Sequence, residues 1–155
     1  MATAKSVTTT AKKPKLVYVV MEAGWEYNDE YYTSSEGGTV KIVFSSKEKA
    51  QKAANAASIK YIKNHVNSIG DYQLHDDADE KTEAHLGLAL GIWLGNGGKP
   101  YDKTGRTQCP KSVPDWLEDN VYCEFPNDLP EEFYYQLMLA FGPNKFHYVV
   151  ESEVQ

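Results

Sequence analysis

The chain has 155 residues, the size of one ordinary domain that buries roughly two-thirds of its unfolded surface. It carries 16 basic against 22 acidic residues, but Lys5, Lys12, Lys13 and Lys15 all fall in an acid-free opening segment, leaving 12 basic residues against 22 acidic ones in the rest. An acidic body with a single arginine, Arg106, excludes a dedicated phosphate-handling or nucleic-acid-reading site and leaves nucleic acid only a weak, salt-sensitive contact through those four lysines.

Residues 1–14 are Ala, Thr, Ser, Lys and Val without period or aromatic, a composition that cannot repay the entropy of ordering, so they read as a disordered basic arm ahead of one globular domain over 15–155. Leu16, Val17, Tyr18, Val19, Val20 and Met21 form a short β-branched and aromatic tract, which predicts a first strand over 15–22. A polar, aromatic loop follows over 24–38, and the alternation of Thr39, Val40, Lys41, Ile42, Val43 and Phe44 predicts a second strand. The two read as a hairpin with a long connection. Ser45 with Glu48 three residues later has the pattern of a capping box, and Ala50, Ala53, Ala54, Ala57, Tyr61, Ile62 and Val66 set a helical period that stops at 67–70. That small-residue stripe suits a helix lying close on a sheet.

Leu86, Leu88, Leu90, Ile92 and Leu94 alternate as a strand would, while Ala84, Leu88 and Ile92 fit a helical face. The helix-forming residues upstream favour a helix over 79–94, with Gly87, Gly91 and Gly95 as a thin stripe for close packing. A short helical turn is expected over 113–121. Asn127 or Asp128 suits a cap, and Pro130, Glu131 and Glu132 a first turn, for a helix that ends at Gly142 and Pro143, although the aromatic run over 133–141 could equally be a strand; a last strand covers 146–153. Strands, then helices, then a strand, without βαβ alternation, predict an α+β fold: an antiparallel or mixed sheet of three to four strands with helices on one face.

The stretch from Val17 to about Ala57, through VYVV, WEYNDE and VFSSKEKAQKA, resembles small bacterial and phage strand-loop-strand-helix domains of unknown function. The resemblance implies that local architecture and no activity. Nothing after Ile69 resembles a known family.

The densest set of metal-ligand types is His75, Asp77, Asp79, Glu83 and His85, but no start within it supplies the glycine and glutamate of a calcium loop, and acids opening a helix complement its positive end. The expectation is therefore no metal and no cofactor. Cys109 and Cys123 lack a CxxC pairing and no apolar leader precedes them, which predicts reduced, structural thiols in a cytoplasmic protein. No run approaches the roughly 18 apolar residues of a membrane span. The leading contact surface is the loop holding Trp25, Glu26, Tyr27, Asp29, Glu30, Tyr31 and Tyr32, since aromatics are favoured where a surface meets a partner; equally, alternate aromatics could fold back onto the sheet while the acids stay wet. The expected function is a non-enzymatic protein-interaction module of the inhibitor, immunity or assembly-subunit type. The alternative is a small metal- or ligand-dependent enzyme or binding domain using residues 75–85.

Overall fold

The computed structural model describes residues 12–29, 31–66, 80–98 and 128–154. They form β1 (Lys15–Tyr27), β2 (Tyr32–Phe44), α1 (Lys47–Asn64), α2 (Glu80–Gly95), α3 (Glu131–Phe141) and β3 (His147–Val154). Among the described residues the sheet has three antiparallel strands in the order β2-β1-β3, and the fold is the α+β arrangement expected. No helix among them is long and apolar enough to cross a membrane. The expected turn over 113–121, Arg106, Cys109 and Cys123 lie outside the described residues, as do residues 1–11 of the basic arm.

The hairpin corrects the expectation of a long loop. Residues 24–27 and 32–38 are not a connection but the continued arms of β1 and β2, with Gly24 opposite Ser35, Trp25 opposite Ser34 and Tyr27 opposite Tyr32. Two register shifts, between Val20 and Met21 and between Glu22 and Gly24, interrupt the alternation that would otherwise announce a strand. The true turn is short. The Asn28 amide donates to the Tyr31 carbonyl at 3.1 Å, the Tyr31 amide donates to Asn28 Oδ1 at 2.9 Å, and Asp29 takes a left-handed φ of 77° that Asp tolerates. At Gly38 a side chain would collide: a Cβ there would stand 2.8 Å from the Glu22 carbonyl oxygen and 2.5 Å from the Tyr148 hydroxyl. Tyr148 thus crosses the central strand from β3 to lie on β2.

Helix α1 lies on the sheet through small side chains. Ala50 and Ala54 are fully buried against Val20 of the central strand, with Tyr18, Phe44 and Val149 around them. Its N-cap is Ser46, extended at φ -122° and ψ 126°, whose hydroxyl accepts from the Lys49 amide at 3.4 Å. The box at Ser45 and Glu48 is therefore one residue out of phase, because the chain only leaves β2 at Phe44 and must bend at Ser45 first. The helix ends at Asn64, before the expected stop at 67–70, with the His65 amide shared between the Tyr61 and Ile62 carbonyls.

The second core joins α2, α3 and the far end of α1, where Leu86 and Trp93 of α2 meet Phe133, Leu137 and Phe141 of α3. Packing thus settles the 86–94 ambiguity as helix. Pro130 holds the N-cap position of α3 without a side-chain bond, so Asp128 does not cap it, Asn127 lies outside the described residues, and the left-handed Gly142 ends the helix at φ 112°. Helix α2 closes in a Schellman motif: the Gly98 amide donates to the Trp93 carbonyl at 2.9 Å and the Gly97 amide to that of Leu94 at 3.3 Å, with Gly97 at φ 85°. The expected glycine packing stripe does not form. Gly91 and Gly95 are exposed and a Cβ at either would meet nothing within 4 Å, because Leu86, Ala89 and Trp93 define the packed face.

The two kinds of glycine separate in stability measurements. Gly97→Ala forces an L residue into a left-handed conformation and is expected to cost about 1 to 2 kcal/mol in denaturant unfolding. Gly91→Ala gains helix propensity in open space and is expected to stabilise by up to about 1 kcal/mol. Equal effects of the two would contradict these assignments.

Candidate functional site

The seven residues of the predicted contact surface are divided by strand alternation. Trp25 and Tyr32 face the helices and are partly buried against the α2–α3 core. The indole lies 5.5 Å from the Phe146 ring at 43°, and the Lys145 ammonium sits 5.8 Å over the indole and 5.7 Å over Phe141. These two rings hold the hairpin down. Tyr27 shares their face but overhangs the core, tilted against Tyr32 at 5.1 Å and 54% exposed. Tyr31, in the turn, is 36% exposed, and Glu26 and Asp29 are exposed. Glu30 lies outside the described residues. Alternation thus divides the set: Trp25 and Tyr32 fold back onto the core, while Glu26, Tyr27, Asp29 and Tyr31 are exposed at the tip of paired strands and a short turn rather than on a long loop.

The candidate metal ligands are not brought together among the described residues. His75, Asp77 and Asp79 lie outside them; Glu83 is exposed on α2. His85 turns toward α3, its Nδ1 2.7 Å from Gln136 Oε1, and Gln136 Nε2 donates to Glu132 Oε1 at 2.7 Å. That chain of bonds ties α2 to α3. No group of three metal-binding side chains occurs among the described residues. Of the arm's lysines, Lys5 lies outside the described residues, and Lys12, Lys13 and Lys15 are exposed.

A further constellation escapes sequence reasoning. His147, 4% exposed at the start of β3, has Nδ1 3.4 Å from the Ser58 hydroxyl of α1 and Nε2 3.7 Å from the Glu22 carboxylate of β1, which in turn pairs with Lys41 of β2 at 2.5 Å. The carboxylate can only accept, so the neutral imidazole carries its proton on Nε2 and Nδ1 accepts from Ser58. Serine, histidine and carboxylate in a row are the parts of a nucleophilic triad. Ser58 is fully buried, however, and no substrate carbonyl can reach its oxygen. The set is a polar junction that pins α1 to three strands. The available signal was position: Ser58 continues the Ala50 and Ala54 stripe at four-residue spacing, which places a hydroxyl on a buried face where it needs a partner.

Comparison of the chain with protein-family models, with curated proteins and with solved structures finds no match.

The junction is sensitive to acid. Burial pushes the His147 imidazole below its ordinary 6.5 and outweighs the attraction of Glu22, while Lys41 adds to the lowering. The Lys41 hydrogen bond holds Glu22 below 4.5 against the opposing effect of burial, with His147 adding to it. With His147 lowered in the folded state, the unfolded chain takes the proton first. Its contribution to stability is complete above 6.5 and is lost as pH falls through the lowered value. Glu22 loses its contribution only below 4.5. Thermal midpoints should accordingly fall in two steps on acidification, and His147→Gln should remove the upper one. A wild-type midpoint that stays level from neutral pH down to the carboxylate range would show this account to be wrong.

Proposed function

We propose that the chain is a non-enzymatic protein-interaction module that engages another protein through the hairpin tip, with Tyr27 and Tyr31 as apolar anchors and Glu26 and Asp29 as flanking charges. The observation that supports it is the exposed Tyr27 ring, supported from below by Tyr32 on a hairpin fastened by Trp25 and Phe146. A tyrosine presented with little freedom left to lose is the type of side chain that dominates interface energetics, because little ordering entropy is paid on binding. The two acids favour a partner with a basic rim and would speed encounter with it. This is the chemistry of an inhibitor, an immunity factor or an assembly subunit.

The test separates anchors from supports. Tyr27→Ser combined with Tyr31→Ser should leave the unfolding free energy within about 0.5 kcal/mol of wild type, as exposed substitutions usually do. The same variant should lose the proteins that the wild-type chain captures from its native host. Trp25→Ala should instead destabilise the fold by about 2 to 3 kcal/mol, less than a fully buried tryptophan because the side chain is only partly buried. Capture of the same proteins at wild-type levels by the double tyrosine variant would sink the proposal.

A further inference from the structure

The helices cover one face of the sheet. Val20, packed on Ala50 and Ala54, and His147, turned to Ser58, mark that face. Strand alternation and the observed register then place Val17, Val19 and Met21 of β1, Val40 and Val43 of β2, and Tyr148 and Val150 of β3 on the opposite one. Val40, Val43 and Val150 are 59%, 52% and 42% exposed. A sheet face in contact with water ordinarily alternates to polar residues; around Val17, Val19 and Met21 this one stays apolar apart from Ser152, and it turns polar only toward the hairpin tip, at Ser35 and Thr33. The nearby acids do not relieve it: Glu22 points to Lys41 and His147, while Glu151 and Glu153, opposite Tyr18 and Leu16, share the helix-covered side. The charges on the open face stand at its two ends. Lys15 begins β1, and Glu26, adjacent to the inward-facing Trp25, stands near its far end.

We propose that this open face pairs with the same face of a second copy of the chain, the two β1 strands running antiparallel, to form a two-layer sheet sandwich. Charge selects a second copy as the occupant. A two-fold axis crossing β1 near Val20 and Met21 lays Lys15 of each copy over Glu26 of the other, roughly 36 Å away along the strand at about 3.3 Å per residue. Lys12 and Lys13 follow toward the hairpin tip that carries Asp29. Parallel stacking would set lysine on lysine and glutamate on glutamate. The footprint is about 36 Å by about 14 Å, so the pair buries on the order of 1,000 Å², the lower bound for a specific interface. The dimer is accordingly reversible and concentration-dependent. It goes beyond the hairpin-tip reading and does not rest on it, since Tyr27 lies on the helix side and stays free.

Sedimentation velocity on the full chain over a wide concentration range tests the pairing. The wild type should pass from monomer to dimer, and Val43→Lys or Val150→Lys, each at an exposed position, should raise the dissociation constant at least about tenfold with an unchanged circular dichroism spectrum. Lys15→Glu and Glu26→Lys should each weaken the dimer, and the two reversals together in one chain should restore it. Tyr27→Ser with Tyr31→Ser should leave it unchanged. A chain that is monomeric throughout overturns the proposal, as does a dimer indifferent to Val43→Lys or one that the double reversal fails to restore.

Discussion

The close approach of α1 to the central strand is the constraint from which the remaining structure follows. Ala50 and Ala54 lie directly on Val20 with no exposed surface, and larger side chains there would lift the helix off the sheet. At that distance Ser58, one turn further on, reaches His147, and Tyr61 stacks on Phe146 at 5.1 Å. The far end of the same helix then delivers Ile62 and Val66 to the second core. One helix thus joins two cores, which β1 and β2 also link through Trp25 and Tyr32.

The hairpin tip depends on this arrangement at one remove. Phe146 ends the connection from α3, and its ring is placed by Tyr61 and Phe141 before it meets Trp25. The Ala23 amide also donates to the Phe146 carbonyl at 2.8 Å, so backbone and ring of one residue both hold β1 where it turns outward. The polar junction around His147 adds to this anchoring, satisfying a buried hydroxyl and imidazole at a second place where α1 and all three strands converge.

The elements whose residues obey one period were legible in the sequence. The alanine spacing of α1 and the β-branched tracts of β1 and β3 each announce a type, and the order of elements announces an α+β fold, whereas the aromatic run of α3 suits a strand as well and is fixed as helix by its packing. What escaped was set by neighbours. The outer halves of β1 and β2 read as a loop because register shifts and glycines break their alternation, although Asn28 and Asp29 marked the true turn. The glycines of α2 read as a packing stripe because spacing alone does not say which side meets α3. The sequence alone does not divide the aromatic residues of the hairpin into buried and exposed ones, because that needs Trp25 and Tyr32 to be seen on one face with Phe146. The union of Glu22, Lys41, Ser58 and His147 comes from four elements and leaves no local trace.

The register shift between Glu22 and Gly24 makes chain length, rather than residue identity, the guarded quantity in this hairpin. It lets Glu22 and Trp25, three positions apart, face the same side, where an unbroken strand would oppose them. Losing one residue there would rotate every side chain to the tip by half a turn, moving the indole into water and Glu26 onto Phe146. A deletion there thus costs the fold more than an exchange of one outward residue of the tip does.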